Sequence, residues 1–107
     1  MKIIGLRVTQ QRLSTAEAEL HVTVETDDAK GELRGRLTGP RCPHAETIEL
    51  AYPLKLMPDS RLLARVIVPE PNLWTAEMPF TYHGVVELAE GNTVHDRRTF
   101  EVRFKSS

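Results

Sequence analysis

The stretch Ala18-Glu19-Leu20-His21-Val22-Thr23-Val24-Glu25 decides the fold. Ala18, Leu20, Val22 and Val24 fall on one side of an extended chain, and Glu19, His21, Thr23 and Glu25 on the other. That two-residue period belongs to a strand with one face buried and one in water. Working outward, the period recurs. Before it, Ile4, Leu6 and Val8 share a face opposed by Arg7 and Thr9. After it, the turn-forming run Asp27-Asp28-Ala29-Lys30-Gly31 leads to Leu33, Gly35 and Leu37, alternating with Arg34 and Arg36. Gly39-Pro40 and Cys42-Pro43 then break the chain, because proline fixes φ and gives no ladder donor.

Four further runs follow. Ile48, Leu50 and Tyr52 form the fourth strand, which Pro53 ends or turns into an edge. Leu62, Ala64, Val66 and Val68 form the fifth, stopped by Pro69 and Pro71. Tyr82, Val86 and Leu88 form the sixth, and Val94, Phe100, Val102 and Phe104 dominate the seventh. No stretch sustains a helical period. About seven antiparallel strands, each apolar on one side, must bury those sides against one another, which predicts an all-β fold of two packed sheets. In the last hairpin a three-residue loop, Glu90-Gly91-Asn92, sets Leu88 opposite Val94, Val86 opposite Asp96 and Gly84 opposite Arg98. Asp96 and Arg98 then point inward, so a bulge near residues 96 to 98 or an ion pair at the sandwich rim is expected.

At 107 residues the chain is read as one domain, 1–107, long enough for a modest core. Its 14 basic and 15 acidic residues are interspersed, for a net charge of −1, so nothing resembles a track for a phosphate backbone and nucleic acid is not an expected partner. No run approaches the ~20 apolar residues that span a membrane, and no membrane partner is expected. The N-terminal Met1-Lys2-Ile3-Ile4-Gly5-Leu6-Arg7 is too short in apolar residues for a signal peptide, whose apolar region needs roughly 7–15. Cys42 is the only cysteine and has no intramolecular partner, which agrees with a reducing compartment. If the chain is as encoded, a cytoplasmic location is expected.

A resemblance emerges over Pro69 to Phe104. Leu73, Trp74, Glu77, Pro79 and Tyr82 are followed, after the hairpin, by Asp96, Phe100 and Arg103. This pattern resembles the immunoglobulin-like β-sandwich domain of glycoside hydrolase family 2, the β-galactosidase and β-glucuronidase group. Glu101 departs from it, since the family usually has glycine there. In that family the glycine leads into the catalytic barrel, so the departure, with the chain ending at Ser107, fits loss of the barrel. The resemblance implies an immunoglobulin-like sandwich and no glycosidase activity: the family's cleaving glutamates lie on the barrel, and no Asn-Glu dipeptide of its acid/base kind occurs here.

No constellation suggests an enzyme, a metal centre or a cofactor. In an immunoglobulin-like topology His21 and His83 lie on different sheets. With His95 opposite Glu87, His83 and His95 stand roughly 13 Å apart, too far for one zinc ion. Cys42 and His44 make two ligands where structural zinc needs four. Ser14, Ser60, Ser106 and Ser107 sit in turns or at the tail, without a nucleophile elbow. Glu17 with Glu19, and Asp27 with Asp28, read as solvated strand ends.

Two features remain. Trp74 lies between prolines beside Leu73, Met78 and Phe80, and burial as a core plug is the expected state. An exposed indole there would instead stack on a sugar. If the third, sixth and seventh strands share a sheet, its outer face shows Arg34, Arg36, His83, Val85, Glu87, His95 and Arg97, a candidate docking face of mixed charge. The leading expectation is a non-catalytic structural or protein-interaction module that braces another chain or pairs with its own copy through an edge strand. The alternative is a carbohydrate-binding accessory module using Trp74, with Tyr52 or Tyr82. A third is an enzyme completed only in an oligomer.

Overall fold

The computed structural model describes residues 2–27 and 30–105. Parts of the expected first turn (Asp28, Ala29) and the tail residues Ser106 and Ser107 lie outside the described residues. Eight strands form: β1 (Ile3–Leu13), β2 (Glu17–Thr26), β3 (Glu32–Arg41), β4 (Leu50–Pro53), β5 (Lys55–Leu56), β6 (Leu63–Pro69), β7 (Thr81–Glu90) and β8 (Thr93–Val102). They make two antiparallel four-stranded sheets, β1-β2-β6-β5 and β4-β3-β7-β8. No helix among the described residues is long and apolar enough to cross a membrane.

The strand that decides the fold behaves as its period requires. Ala18, Leu20, Val22 and Val24 are buried, and β6 answers with Ala64, Val66 and Val68. From the other sheet Leu33, Leu37, Tyr82, Val86 and Leu88 close the interior. Tyr82 and Phe104 pack with ring centroids 4.9 Å apart, and the Tyr82 hydroxyl accepts the N–H of Asn72 at 3.0 Å. Burial holds that phenol above its ordinary value of 10.0, against the lowering effect of the Asn72 bond.

The expected all-β fold of about seven antiparallel strands in two sheets is what forms; the eighth is the two-residue Lys55–Leu56, added beside β6 where the chain crosses to the other sheet past Pro53. Two expectations need correction. The expected inward set of the fourth strand holds only at Tyr52, which packs against the core: Leu50, in the edge strand β4 held by β3 alone, is 55% exposed, and Ile48, before that strand begins, is 86% exposed. At the N-terminus a register shift between Ile3 and Gly5 turns Ile4 outward and Ile3 inward, reversing the expected phase.

The last hairpin also differs from its expected register. Its loop has two residues, Gly91 and Asn92, so Glu90 faces Thr93 and Ala89 faces Val94. Gly91 has φ 59°, the left-handed conformation that glycine adopts without steric cost. A bulge at His95 then restores the phase and sets Leu88 opposite Asp96, Val86 opposite Arg98 and Gly84 opposite Phe100. The bulge thus falls one residue before the expected 96–98. Asp96, half-buried, and Arg98, exposed, lie at the rim of the sandwich and bond the main chain of the other sheet. Asp96 Oδ2 accepts the Ile3 N–H at 2.8 Å, and Arg98 donates to the Ile3 carbonyl at 2.6 Å. The two side chains supply a substitute ladder partner for β1 across the open side of the sandwich.

The Ile3 N–H, then the Arg97 N–H and the Arg98 charge, hold the Asp96 carboxyl below its ordinary value of 3.8. A carboxyl depressed by folding stabilises the fold above its ordinary value, and that stability disappears as pH falls through the lower folded value. Asp96→Ala is therefore expected to lower stability at neutral pH and to flatten the acid decline between about pH 5 and pH 1. Urea midpoints across that range provide the measurement, and parallel declines in both proteins would contradict the clamp. Separately, a Cβ at Gly84 would overlap the Phe100 ring. Gly84→Ala is expected to cost about 1–3 kcal/mol by overpacking, read from the unfolding midpoint.

Candidate functional site

Of the residues expected on a mixed-charge face, the structure places Arg34, Arg36, His83, Val85, Glu87 and Arg97 on one sheet in matching register, while His95 lies apart from them. β3, β7 and β8 are neighbours in one sheet, and the register lines up Arg34, Glu87 and Arg97 in one row and Arg36, Val85 and Thr99 in the next. His83 follows, between Thr38 and Glu101, its Nε2 3.2 Å from the Thr81 hydroxyl. His95 does not stand opposite Glu87; the bulge places it near the hairpin tip, 3.8 Å from Glu90, and Arg97 takes its place. Arg97 reaches Glu87 at 2.7 Å and Arg34 reaches Glu32 at 3.2 Å. Ion pairs of this exposed kind contribute little to stability, and each neutralises one arginine of the face.

His21 and His83 lie on opposite sheets, as expected. His21 bonds Glu19 at 3.0 Å. Cys42 is buried and His44 exposed. Among the described residues no three His, Cys, Asp or Glu side chains gather as a metal would require. The structure also sets Lys55 opposite Arg65 across β5 and β6. That pairing was not legible without β5.

Trp74 is half-buried, not the core plug expected of it. Tyr82 and Phe104 fill that end of the interior instead. The Trp74 N–H of the main chain donates to the Phe104 carbonyl at 2.8 Å, which lays the indole against the end of the chain. Lys105 Nζ sits 4.5 Å from the ring centroid and Arg103 Cζ 5.8 Å, both within cation–π range. Beside it a groove of about 440 Å³ runs along Gln10, Gln11, Ser14 and Thr15, with Leu73 and Lys105 opposite. The groove is polar and open, and Lys105 stands between it and the indole.

The family model described as "Glycosyl hydrolases family 2" matches residues 2–104. The chain belongs to glycosyl hydrolases family 2. No curated protein matches it significantly. Among solved structures, a β-glycosidase from Bacteroides vulgatus superposes with a TM-score of 0.62 at 15% identity, over 96% of this chain and 13% of that one. A putative β-galactosidase from Bacteroides fragilis gives 0.60 at 18% identity, over 95% of this chain and 17% of that one. A β-glucuronidase from glycoside hydrolase family 2 gives 0.58 at 16%, over 94% and 11%. The sandwich therefore spans a small part of these enzymes, as an accessory domain does.

The family 2 signature residues have structural duties here. Tyr82 receives the crossover segment at Asn72, Asp96 clamps Ile3, Phe100 covers Gly84, and the main chain at Trp74 ties to Phe104. The motif marks ties that close the sandwich. Replacing Lys105 with Ala removes the cation nearest the indole. Acrylamide quenching of Trp74 fluorescence is expected to rise in that variant; unchanged quenching would mean that Lys105 does not cover the ring.

Proposed function

We propose that this family 2 sandwich is a non-catalytic structural or protein-interaction module that braces or positions another chain. One observation carries the reading: among the described residues no carboxyl side chain is buried. Glycosidic cleavage needs two carboxyl groups flanking the bond, one kept protonated by an apolar or like-charged setting. Here Glu17, Glu19, Glu32, Glu49, Glu87 and Glu101 each lie at the surface with a basic partner. A cytoplasmic setting belongs to the same proposal, supported by the free thiol of Cys42.

A carbohydrate-binding role is the second reading, favoured by the half-exposed Trp74 beside a polar groove. The two diverge at the indole. If a sugar displaces Lys105 and stacks on the ring, Trp74 emission shifts on addition of neutral and acidic saccharides. An unmoved spectrum across such a panel supports the module.

Catalysis itself is tested with purified chain against nitrophenyl β-galactoside, β-glucuronide, β-mannoside and β-glucoside. No release of nitrophenol above buffer is expected. Turnover that scales with the folded protein and follows it through sizing chromatography would overturn the proposal.

A further inference from the structure

Backbone groups along a strand point alternately to its two sides. On β6 and the residues leading into it, the Leu62 carbonyl accepts Val24 N–H on the β2 side, and the Leu63 carbonyl accepts Met57 N–H on the β5 side. Odd-numbered residues of β6 therefore aim their N–H and C=O groups away from β2. β5 covers Arg65 through Lys55, and there its pairing ends. One step further the same register brings Pro53 opposite Ile67, and Pro53 has no N–H to give. By that point the chain belongs to β4, which pairs with Arg36 of β3 in the other sheet. Ile67 is left at an open edge, its side chain 39% exposed.

That edge opens on a notch of about 200 Å³ lined by Tyr52, Pro53, Lys55, Arg65 and Ile67. Lys55 and Arg65 stand directly opposite each other, an arrangement of like charges that is unfavourable on its own. Neither forms an ion pair among the described residues. The carboxylate nearest in register, Glu19 opposite Ile67, is held by His21 at 3.0 Å. The notch thus combines unpaired main-chain groups, an apolar wall and two cations without a counter-ion.

We propose that this notch docks an extended, acidic segment of a partner protein. The segment adds a short strand to β6 at Ile67, the mode by which exposed sheet edges take peptides. A residue docked opposite Ile67 on the outer face is diagonal to Arg65, about 7–8 Å between backbones. A glutamate spans that distance and sits between Arg65 and Lys55. The inference deepens the protein-interaction reading and rests on it.

The test is a titration of the ¹⁵N-labelled chain with a capped hexapeptide of alternating glutamate and valine. Saturating amide shifts confined to Lys55, Arg65, Ile67 and their neighbours are expected, weakened by added salt. The double variant Lys55→Glu, Arg65→Glu should bind at least tenfold more weakly with an unchanged melting curve. Arg65→Gln serves as a milder variant should the double one unfold early. Equal binding of a lysine-valine hexapeptide, shifts centred elsewhere, or the same shifts with inorganic phosphate alone would overturn the proposal. Failure of this titration with glycosides still uncleaved leaves the module standing, whereas glycoside turnover removes the module reading itself.

Discussion

Everything in this fold follows from one constraint: each strand has a single apolar face, and those faces must cover one another. β2 and β6 from one sheet meet β3 and β7 from the other, and between them the side chains of Leu20, Val22, Val66, Leu37, Val86 and Leu88 lie out of water. Such packing is non-directional and fixes only that two sheets form. Closing the two long sides needs directional contacts. On one side Asp96 and Arg98 reach across from β8 to the main chain of Ile3. On the other the chain itself crosses between sheets, from β4 to β5, and closes that side only in part.

The unequal closure explains where the molecule has surface to spare. β1 is a long edge, but its first residues are held by two charged side chains. β5 has only two residues, and the proline that ends β4 withholds the donor that would continue the ladder. Pro53 is therefore both a topological device and the origin of the open edge at Ile67. By contrast, on the broad face Arg34 and Arg97 are already paired with Glu32 and Glu87.

Much of the fold was legible in the sequence because period two is a strong signal where one face is buried. It located β2, β3, β6 and β7 without error in phase. It misread residues next to register shifts, where one extra residue changes the face of its neighbours. Ile4 was misplaced at the shift in β1, His95 because the loop is one residue shorter than expected and a bulge follows it, and Ile48 and Leu50 because apolar residues at and before an edge look like core residues in one dimension. The site was less legible. The residues of the mixed-charge face were found by alternation, but the Lys55–Arg65 juxtaposition depended on a two-residue strand too short to carry any period. The signature from Leu73 to Arg103 was readable and pointed to the family, yet the state of Trp74 was not. Its exposure depends on the bond between its main chain and Phe104, a contact across 30 residues.

The sandwich is closed by packing within and left open along β6 at Ile67. Amide hydrogen exchange on that strand tests it most directly. Val66 and Val68, whose N–H groups point to β2, should exchange only on opening of the core, while Ile67 between them should exchange orders of magnitude faster. Protection at Ile67 equal to that of its two neighbours would contradict the open edge and, with it, the proposed docking of a strand at Ile67.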